Sequence, residues 1–396
     1  MSEPYVTLWT YPWDLLDDGV DTALDTIVEL GLRTVSLATV YHSFEQIRPH
    51  LVGPKYFVAP EAAVYFQPTA SLYAETCIKP HLSPIVSRGR DPLRLVGEGC
   101  RRRGISLTSW TVCLHNTYQG RQHPACCPTN VYGDVFTSNL DPTNPEVRSF
   151  VVAVCRDLAA TGLIDRLELE AIGFGGRPHF HGHEKTGVDL GPAGWFLFTL
   201  PASASARALG EQAGVDVDRL FAKIRQTLDP VFRDGRPLPG DPASLAAENP
   251  GLDSYARALR RSITDLVREI REAAGLPLSM IAMGDVWTSL CDYREIASVA
   301  EAIETLAYTP SPDVLEQRVR SVAETAEITA DRIVVGLQAY GAAAPDDRTL
   351  LSCVERALDL GARRFSFYNY GIMPAAHLPW LRTAAEVIRR RVDGPT

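Results

Sequence analysis

The sequence predicts an α/β fold, a (β/α)8 TIM barrel, and three observations lead to this prediction. Eight short apolar runs bounded by turn residues recur along the chain, and segments with helical periodicity lie between them. Such alternation implies parallel strands joined by right-handed crossovers. The length of 396 residues suits one elaborated barrel domain over residues 1–396. The alternative, a doubly wound sheet, is disfavoured because no G-x-G-x-x-G motif follows the first run.

The predicted strands, in chain order, are Val6–Trp9, Arg33–Ala38, Ile105–Val112, Arg166–Ala171, Leu278–Met283, Thr305–Tyr308, Ile333–Tyr340 and Arg364–Asn369. The predicted helices include one from about Leu15 to Leu30 and those over Pro312–Thr325, Arg348–Leu360 and Ala375–Arg391. Long loops are predicted after strands two, three and four, and a helical insertion over residues 195–274 lies between strands four and five. In the first of these loops, Tyr56–Val58 and Ala63–Phe66 could pair as a small hairpin. Because loops after strands form the functional face of a barrel, these long loops predict a deep cleft there.

Composition excludes several classes of protein. Hydrophobic residues make up 45% and charged residues 22%, which are ordinary globular values. The net charge is −9 and the one dense basic run, Arg101–Arg103, sits at a predicted helix end, so no nucleic-acid partner is expected. No stretch reaches the roughly 20 apolar residues that span a bilayer. The N-terminus lacks the features of a cleaved signal, which predicts a cytoplasmic protein without a membrane partner. The eight cysteines form no C-x-x-C motif and are predicted to be free thiols.

Strand four carries two carboxylates on one face. Side chains alternate along a strand, so Glu168 and Glu170 share a face while Leu167 and Leu169 share the other. The leucines suit packing under helices, which turns both carboxyls into the barrel. A buried carboxyl with a raised pKa at the end of a strand can act as a general acid. Alternatively, Glu168 pairs with an interior Arg or Lys and only supports the barrel.

The same inward face is polar or aromatic on other strands. A sugar ring has apolar faces and hydroxyl edges, so aromatic platforms with hydroxyl and amide partners suit it. Residues just beyond strands two and three occupy positions where substrate contacts are expected. The predicted sugar-contacting residues are Trp9, Tyr41, His42, Trp110, His115, Asn116, Glu168, His183, Gln338, Tyr340, Tyr368 and Asn369. The alternative is that Trp9, Trp110 and Tyr368 plug the barrel and touch no substrate.

Two further segments could contribute chemistry. Asp285 directly follows strand five, and Asp14 follows strand one, where it could instead cap the first helix. The loop after strand four contains His179-Phe180-His181-Gly182-His183-Glu184. Its His-x-His-x-His spacing could supply metal ligands, but alternate residues diverge in a glycine-containing loop, so we assign no metal ligand.

Several short motifs follow one another along the chain: Tyr11–Leu15, Ser36–Ser43, Ala63–Phe66, Trp110–Asn116, Asn139–Arg148, Leu167–Ala171 and Gly214–Asp216. Through these motifs the chain resembles a group of bacterial hypothetical proteins with glycoside-hydrolase-like (β/α)8 barrels. Many retaining barrel glycosidases have an acid/base glutamate after strand four and a nucleophilic glutamate at strand seven. Glu170 matches the first position, whereas strand seven has Gln338 and Tyr340. The matching segment Phe198–Ala204 also lacks the cysteines of such relatives.

The sequence therefore predicts a carbohydrate-active enzyme, a glycoside hydrolase in which Glu170 is the general acid/base and Asp285 or Glu184 is the second carboxylate. Its substrate would be a small-molecule glycoside or an oligosaccharide, and no cofactor is expected. One alternative is a metal-dependent sugar isomerase, epimerase or lyase that uses the histidine loop. Another is a non-catalytic sugar-binding barrel, which the glutamine at strand seven permits.

Overall fold

Eight parallel strands close into a barrel in the computed structural model, which describes residues 4–87, 90–175 and 185–393. The barrel strands are β1 (Tyr5–Thr10), β2 (Thr34–Tyr41), β6 (Ser106–Val112), β7 (Arg166–Glu170), β8 (Leu278–Ile281), β9 (Ala302–Leu306), β10 (Ile333–Gln338) and β11 (Arg364–Tyr368). Each strand pairs with its neighbours in chain order, and β1 pairs with both β2 and β11. The predicted (β/α)8 barrel is confirmed.

Helices surround the barrel and cover the outward-facing side chains of its strands. Leu167 and Leu169 of β7, for example, belong to the large apolar core between strands and helices. The α-helices of the described residues are α1 (Pro12–Asp18), α2 (Val20–Glu29), α3 (Pro84–Ser87), α4 (Pro92–Arg103), α5 (Thr117–Gln122), α6 (Pro145–Ala160), α7 (Gly191–Thr199), α8 (Ala204–Gln212), α9 (Val217–Asp234), α10 (Pro242–Ala247), α11 (Pro250–Ala274), α12 (Tyr293–Ala297), α13 (Pro312–Ala326), α14 (Asp347–Asp359) and α15 (Leu378–Asp393). None of the helices in these described ranges is long and apolar enough to cross a membrane.

Three local predictions differ from the structure. The first helix is interrupted, because Gly19 between α1 and α2 has φ +83°, outside the helical region. The sixth barrel strand, β9, begins three residues before the predicted one, since Ala302 and Ile303 are short or apolar and pair with β8. The predicted small hairpin also has different partners.

That hairpin forms between β3 (Phe44–Ile47) and β4 (Tyr56–Ala59), which pair antiparallel. The segment β5 (Ala63–Val64) instead pairs antiparallel with the end of β2. Sequence patterning identified the strand-like runs but not the contribution of Phe44–Ile47, which follows β2 after only two residues. The β3–β4 hairpin extends beyond the C-terminal end of β2, at the edge of the barrel mouth.

Candidate active site

Glu170 ends β7 and lines a cavity at the C-terminal mouth of the barrel. Its Oε2 accepts a hydrogen bond from the indole Nε1 of Trp110, at 2.5 Å. Trp110 lies on the neighbouring strand β6, where it is in register with Glu168. One carboxyl oxygen of Glu170 is thus held by the barrel wall, which leaves Oε1 as the oxygen that can serve a ligand in the cavity.

The surroundings of Glu170 favour its protonated form. Burial and, to a smaller extent, the negative charge of Glu168 raise the pKa of Glu170 to about 7, against the lowering effect of the Trp110 hydrogen bond. A carboxyl with this pKa is half protonated near neutral pH. It can therefore give up a proton and take one back in a single reaction cycle.

Below Glu170 the barrel interior contains two further carboxyls, those of Glu168 and Glu304. Glu168 is fully buried, and its Oε2 accepts a hydrogen bond of 2.5 Å from Ser36 Oγ on β2. Glu304 on β9 is also fully buried and accepts a hydrogen bond from the Ser366 hydroxyl on β11. Glu304 is not among the predicted site residues, because the predicted sixth strand begins after it. The signal was present: Glu304 lies between Ile303 and Thr305 in an otherwise apolar run.

Trp9 and Trp110 are buried by packing and are not exposed in the mouth of the barrel. Trp9 and Trp110 are 2% and 1% exposed, and their rings stack with centroids 4.6 Å apart. Tyr368 meets Trp9 edge-on at 5.2 Å. The two tryptophans thus lie in the interior of the barrel, where Trp110 reaches the site through its N–H. Their burial corresponds to the alternative in which both tryptophans fill the barrel interior.

Three tyrosine hydroxyls meet above this stack. Tyr11 Oη lies 3.0 Å from Tyr41 Oη and 2.7 Å from Tyr368 Oη. The sequence analysis predicted Tyr41 and Tyr368 as ligand contacts but not Tyr11. The motif Tyr11-Pro12-Trp13-Asp14 directly after β1 was the signal available, since the C-terminal ends of all barrel strands share one face.

Two cavities lie side by side at the mouth. One, of about 210 Å³, contains Glu170 together with His115 and the apolar side chains of Ile172, Phe174, Met280 and Ile281. The other, of about 540 Å³, is lined by aromatic side chains, those of Tyr11, Tyr41, Phe44, Tyr340 and Tyr368. His42 lines both cavities and stacks on Tyr41 at 4.3 Å. A ligand that spans both would pass His42.

Of the remaining predicted sugar contacts, His115 lines the cavity, whereas Asn116 and Asn369 form hydrogen bonds with the backbone. His115 accompanies Glu170, and its Nδ1 lies 3.1 Å from Asn139 Oδ1, a cavity-lining residue that the sequence analysis did not select. Gln338 Nε2 donates to Tyr340 Oη at 3.3 Å. Asn116 instead caps α5, since its Oδ1 accepts from the Gln119 N–H. Asn369 is fully buried, and its Oδ1 accepts from the Gly371 N–H.

Of the two predicted second carboxylates, Asp285 lies within the described residues. Asp285 is exposed, and its Oδ1 accepts the backbone N–H groups of Trp287 and Thr288 at 2.9 and 2.8 Å, so it stabilises the turn after β8. It is not among the residues that line the cavity with Glu170. Glu184 lies outside the described residues, as do His183 and the rest of the histidine motif. Within residues 4–87, 90–175 and 185–393, no cluster of three His, Cys, Asp or Glu side chains could hold a metal ion.

Asp14 forms a second buried charged cluster, beside the mouth. Its Oδ1 accepts from Arg48 Nε at 2.7 Å and its Oδ2 from Gln46 Nε2 at 3.0 Å. Burial raises the pKa of Asp14 to about 6 despite these bonds. This carboxyl thus connects α1 to the β3–β4 hairpin. The N-cap of α1 is Tyr11, so Asp14 does not cap that helix.

Comparison with known proteins shows the fold and no closer relationship. No protein-family model matches the chain, and no curated protein matches it. Among solved structures, the PgaB (BpsB) glycoside hydrolase domain from Bordetella bronchiseptica superposes with a TM-score of 0.61 at 15% identity, over 98% of this chain and 99% of that domain.

Two larger solved structures also superpose on the chain. The β-galactosidase from the psychrophilic Marinomonas ef1 gives a TM-score of 0.59 at 12% identity, over 99% of this chain. The α-L-fucosidase isoenzyme 2 from Paenibacillus thiaminolyticus gives 0.58 at 14% identity, also over 99%. The chain spans 61% and 50% of the length of these two proteins. The chain thus has the TIM-barrel fold that solved glycoside hydrolases share.

Proposed function

We propose that the protein is a glycoside hydrolase in which Glu170 is the general acid/base. One observation carries the proposal: Glu170 lines the cavity at the C-terminal end of a barrel strand and has a pKa of about 7. Glycosidic bond cleavage needs a carboxylic acid that protonates the leaving oxygen. The barrel fold shared with solved glycoside hydrolases supports the proposal.

In this reaction Oε1 of Glu170 gives its proton to the glycosidic oxygen, while Trp110 keeps Oε2 in place. The sugar lies towards the aromatic cavity, where phenol hydroxyls of Tyr41, Tyr340 and Tyr368 offer donors and acceptors to ring hydroxyls. His42 lies between the two cavities and would contact the sugar beside the scissile bond. The leaving group occupies the smaller cavity with Glu170.

The first test is Glu170→Gln, measured on a panel of 4-nitrophenyl glycosides and oligosaccharides. We expect kcat/KM to fall by roughly 10²- to 10⁴-fold on oligosaccharides, whose leaving alcohol needs the carboxyl proton, and by less on 4-nitrophenyl glycosides, whose phenolate leaves with little protonation. The unfolding temperature should stay the same or rise. Unchanged kinetics would refute the assignment of Glu170.

The second carboxylate is tested by two further variants. We propose Glu184 for this role. Asp285 is exposed, and its carboxylate is already bound to the backbone of the turn after β8. Glu184→Gln should lower kcat, whereas Asp285→Asn should keep turnover within about threefold. The opposite result would assign the role to Asp285. The matched control is Asp292→Asn, which alters the capping residue of α12.

A non-catalytic sugar-binding barrel is the second candidate. Two observations favour it. Among the described residues lining the cavity of Glu170, no second carboxylate is present. In addition, β10 ends in Gln338 rather than in a glutamate. In that case the same panel would show binding by calorimetry, no turnover, and no change of affinity above about threefold in Glu170→Gln.

A further inference from the structure

The barrel interior contains two carboxyls that the proposed reaction does not use. Glu168 on β7 and Glu304 on β9 lie on strands separated only by β8, and both are 0% exposed. Burial of an ionised carboxylate costs several kcal/mol unless it is paired. Two of them side by side therefore need either a counter-ion or a proton.

Their hydrogen-bond partners indicate where such a proton would lie. Ser36 donates to Oε2 of Glu168, and Ser366 donates to Oε1 of Glu304. Glu168 Oε1 and Glu304 Oε2 accept no other hydrogen bond among the described residues, although the Trp9 indole is a further hydrogen-bonding neighbour of Glu168, so these two oxygens are left to the contact between the two carboxyls. Two ionised carboxylates have no donor, so this contact is a hydrogen bond only if one of them is protonated.

The neighbouring strand β10 leaves room for the hydrogen bond between Ser366 and Glu304. A Cβ placed on Gly336 of β10 would lie 3.3 Å from Glu304 Oε1 and 3.3 Å from Ser366 Oγ. Any larger residue would press on the bond between these two side chains. The absence of a side chain at this position therefore fits a site built around the Glu304 carboxyl.

The surroundings decide which carboxyl keeps the proton. Burial and then the charge of Glu168 raise the pKa of Glu304 well above its ordinary value. Burial also raises the pKa of Glu168, but the hydrogen bonds from Glu304 and Ser36 and the charge of Arg166 act in the opposite direction. Among the described residues, Glu168 accepts a hydrogen bond from Ser36 and has the Trp9 indole as a second donor beside it, whereas Glu304 accepts from Ser366 alone. Glu304 is therefore the donor and Glu168 the charged acceptor.

We propose that Glu304 stays neutral throughout the working pH range and, by donating its proton to Glu168, fixes a single negative charge on the strand position beneath Glu170. Glu168 and Glu304 are then positioning residues, and they act on the reaction through Glu170. This role rests on the proposed function, but the proton between the two carboxyls does not.

Other titratable groups around these carboxyls do not supply the charge. From the neighbouring elements, Tyr5, Arg166 and Tyr308 interact electrostatically with Glu168 or Glu304, and Tyr41, Cys113 and Tyr368 interact with Glu170 above them. The pKa values of the four tyrosines and the cysteine are raised by burial, so these groups are neutral at pH 7. Arg166 pairs with Glu301 at 2.6 Å. His42 and His115 share the cavity lining with Glu170 and are common to every comparison below.

The proton itself is tested by infrared spectroscopy on the full chain. The background is Glu170→Gln, which removes the cavity carboxyl, and the pH is about 9, well above the ordinary pKa of a glutamate. We expect one protonated-carboxyl stretching band, which disappears when Glu304→Gln is added. Absence of the band in the single variant would overturn the proposal without any need for the second variant to fold. Persistence of the band in the double variant would overturn it as well.

The action on Glu170 is tested by its titration, followed as the infrared difference between each protein and its Glu170→Gln counterpart. Glu168→Gln removes the fixed charge, so the midpoint near pH 7 should move down by roughly one pH unit. Glu304→Gln replaces a neutral donor by a neutral donor and should leave the midpoint in place.

The control is Asp157→Asn. It removes a different buried carboxylate, which accepts a hydrogen bond from the Tyr73 hydroxyl. It should cost stability without a shift of the Glu170 midpoint. Equal midpoints in Glu168→Gln and the unaltered protein would overturn the electrostatic role. Because this readout needs no substrate, a failure of the proposed glycosidase activity would leave it unaffected, and the two outcomes are distinguishable.

Discussion

The hydrogen bond from Trp110 is the main contact that opposes the burial of Glu170. It favours the ionised carboxylate, while desolvation favours the acid, and the balance gives a pKa of about 7. One aromatic side chain thus adjusts the fraction of molecules that have a proton to donate. The ring also packs on Trp9, so the donor is fixed in direction.

We predict that Trp110→Phe raises the pKa of Glu170 by roughly one unit, because the variant loses the donor but keeps an aromatic ring. The alkaline limb of the kcat/KM profile should move to higher pH by the same amount, since the acid form persists longer. Trp13→Phe is the matched control, as its indole donates to Gln46 instead, at 2.8 Å. A shift of equal size in both variants would contradict the specific role of Trp110.

Individual residues were predicted to different depths. Alternation along β7 was enough to place Glu168 and Glu170 on one face, because that rule depends only on strand geometry. Burial of Trp9 and Trp110 was predicted only as an alternative to sugar contact, since it depends on how two rings from different strands stack. The capping role of Asn116 depends on where α5 begins, which the His/Asn-rich composition of that loop obscured.

At the scale of elements, the β3–β4 hairpin is attached to the barrel by a buried ion pair. Arg48, directly after β3, is 5% exposed and bonds to Asp14 of α1 through Nε and to Asp17 through Nη2, both at 2.7 Å. Its guanidinium also lies over the ring of Phe57 in β4. The hairpin forms part of the aromatic cavity through Phe44, so its attachment affects the site.

We predict that Arg48→Met lowers the free energy of unfolding by about 3–5 kcal/mol, because it leaves the Asp14 carboxylate buried without its partner. Asp14→Asn in the same chain should restore part of the loss, as no charge then remains. Arg320→Met is the control, since Arg320 is mostly exposed and its ion pair with Glu316 should contribute less than about 1 kcal/mol. Urea unfolding measures all three, and equal losses in Arg48→Met and Arg320→Met would refute the role of the buried pair.

The pairing of the hairpin shows why this part of the fold escaped prediction. The sequence marks Tyr56–Val58 and Ala63–Phe66 as strand-like, and both positions do contain strand residues. Which strands pair is decided by the tertiary contacts of β2, whose end pairs with β5 and whose continuation supplies β3. Local composition contains no information on that choice.

For the whole molecule, three of the buried carboxyls with raised pKa values contribute one component of the change of stability with pH. Those of Asp14 and Glu170 rise from 3.8 to about 6 and from 4.5 to about 7, and that of Glu304 lies well above 4.5. Between its unfolded and folded pKa values, each of these three groups binds more protons in the folded chain than in the unfolded one. Stability at these groups is therefore present below the unfolded pKa and is lost as pH rises, by at most about 1.4 kcal/mol per pH unit and group.

We predict that Glu304→Gln has nearly the stability of the unaltered protein near pH 5 and becomes relatively more stable as the pH rises, because the amide cannot ionise in the unfolded chain. Glu316→Gln is the control of opposite sign, since Arg320 and Arg356 lower the pKa of that partly buried carboxyl. Urea unfolding at several pH values gives the comparison. Parallel curves for Glu304→Gln and the unaltered protein would contradict the prediction.

The overall fold was the most predictable feature, because eight repeated strand and helix units leave few parallel topologies open. The candidate site was predictable only in outline. Strand ends indicated the mouth and Glu170, while Glu304, Tyr11 and Asn139 entered through contacts between strands and loops far apart in the chain.

The seam of the barrel has a consequence for the order of assembly during synthesis. β1 pairs with β11, and the Tyr370 N–H bonds to the Trp9 carbonyl, so the first strand is completed by the last. The hydroxyls of Tyr11 and Tyr368, 357 positions apart, meet across this seam. A nascent chain thus has one open edge on β1 until β11 has left the ribosome. Chain closure and site formation become a single late event, and a protein truncated before β11 would lack both.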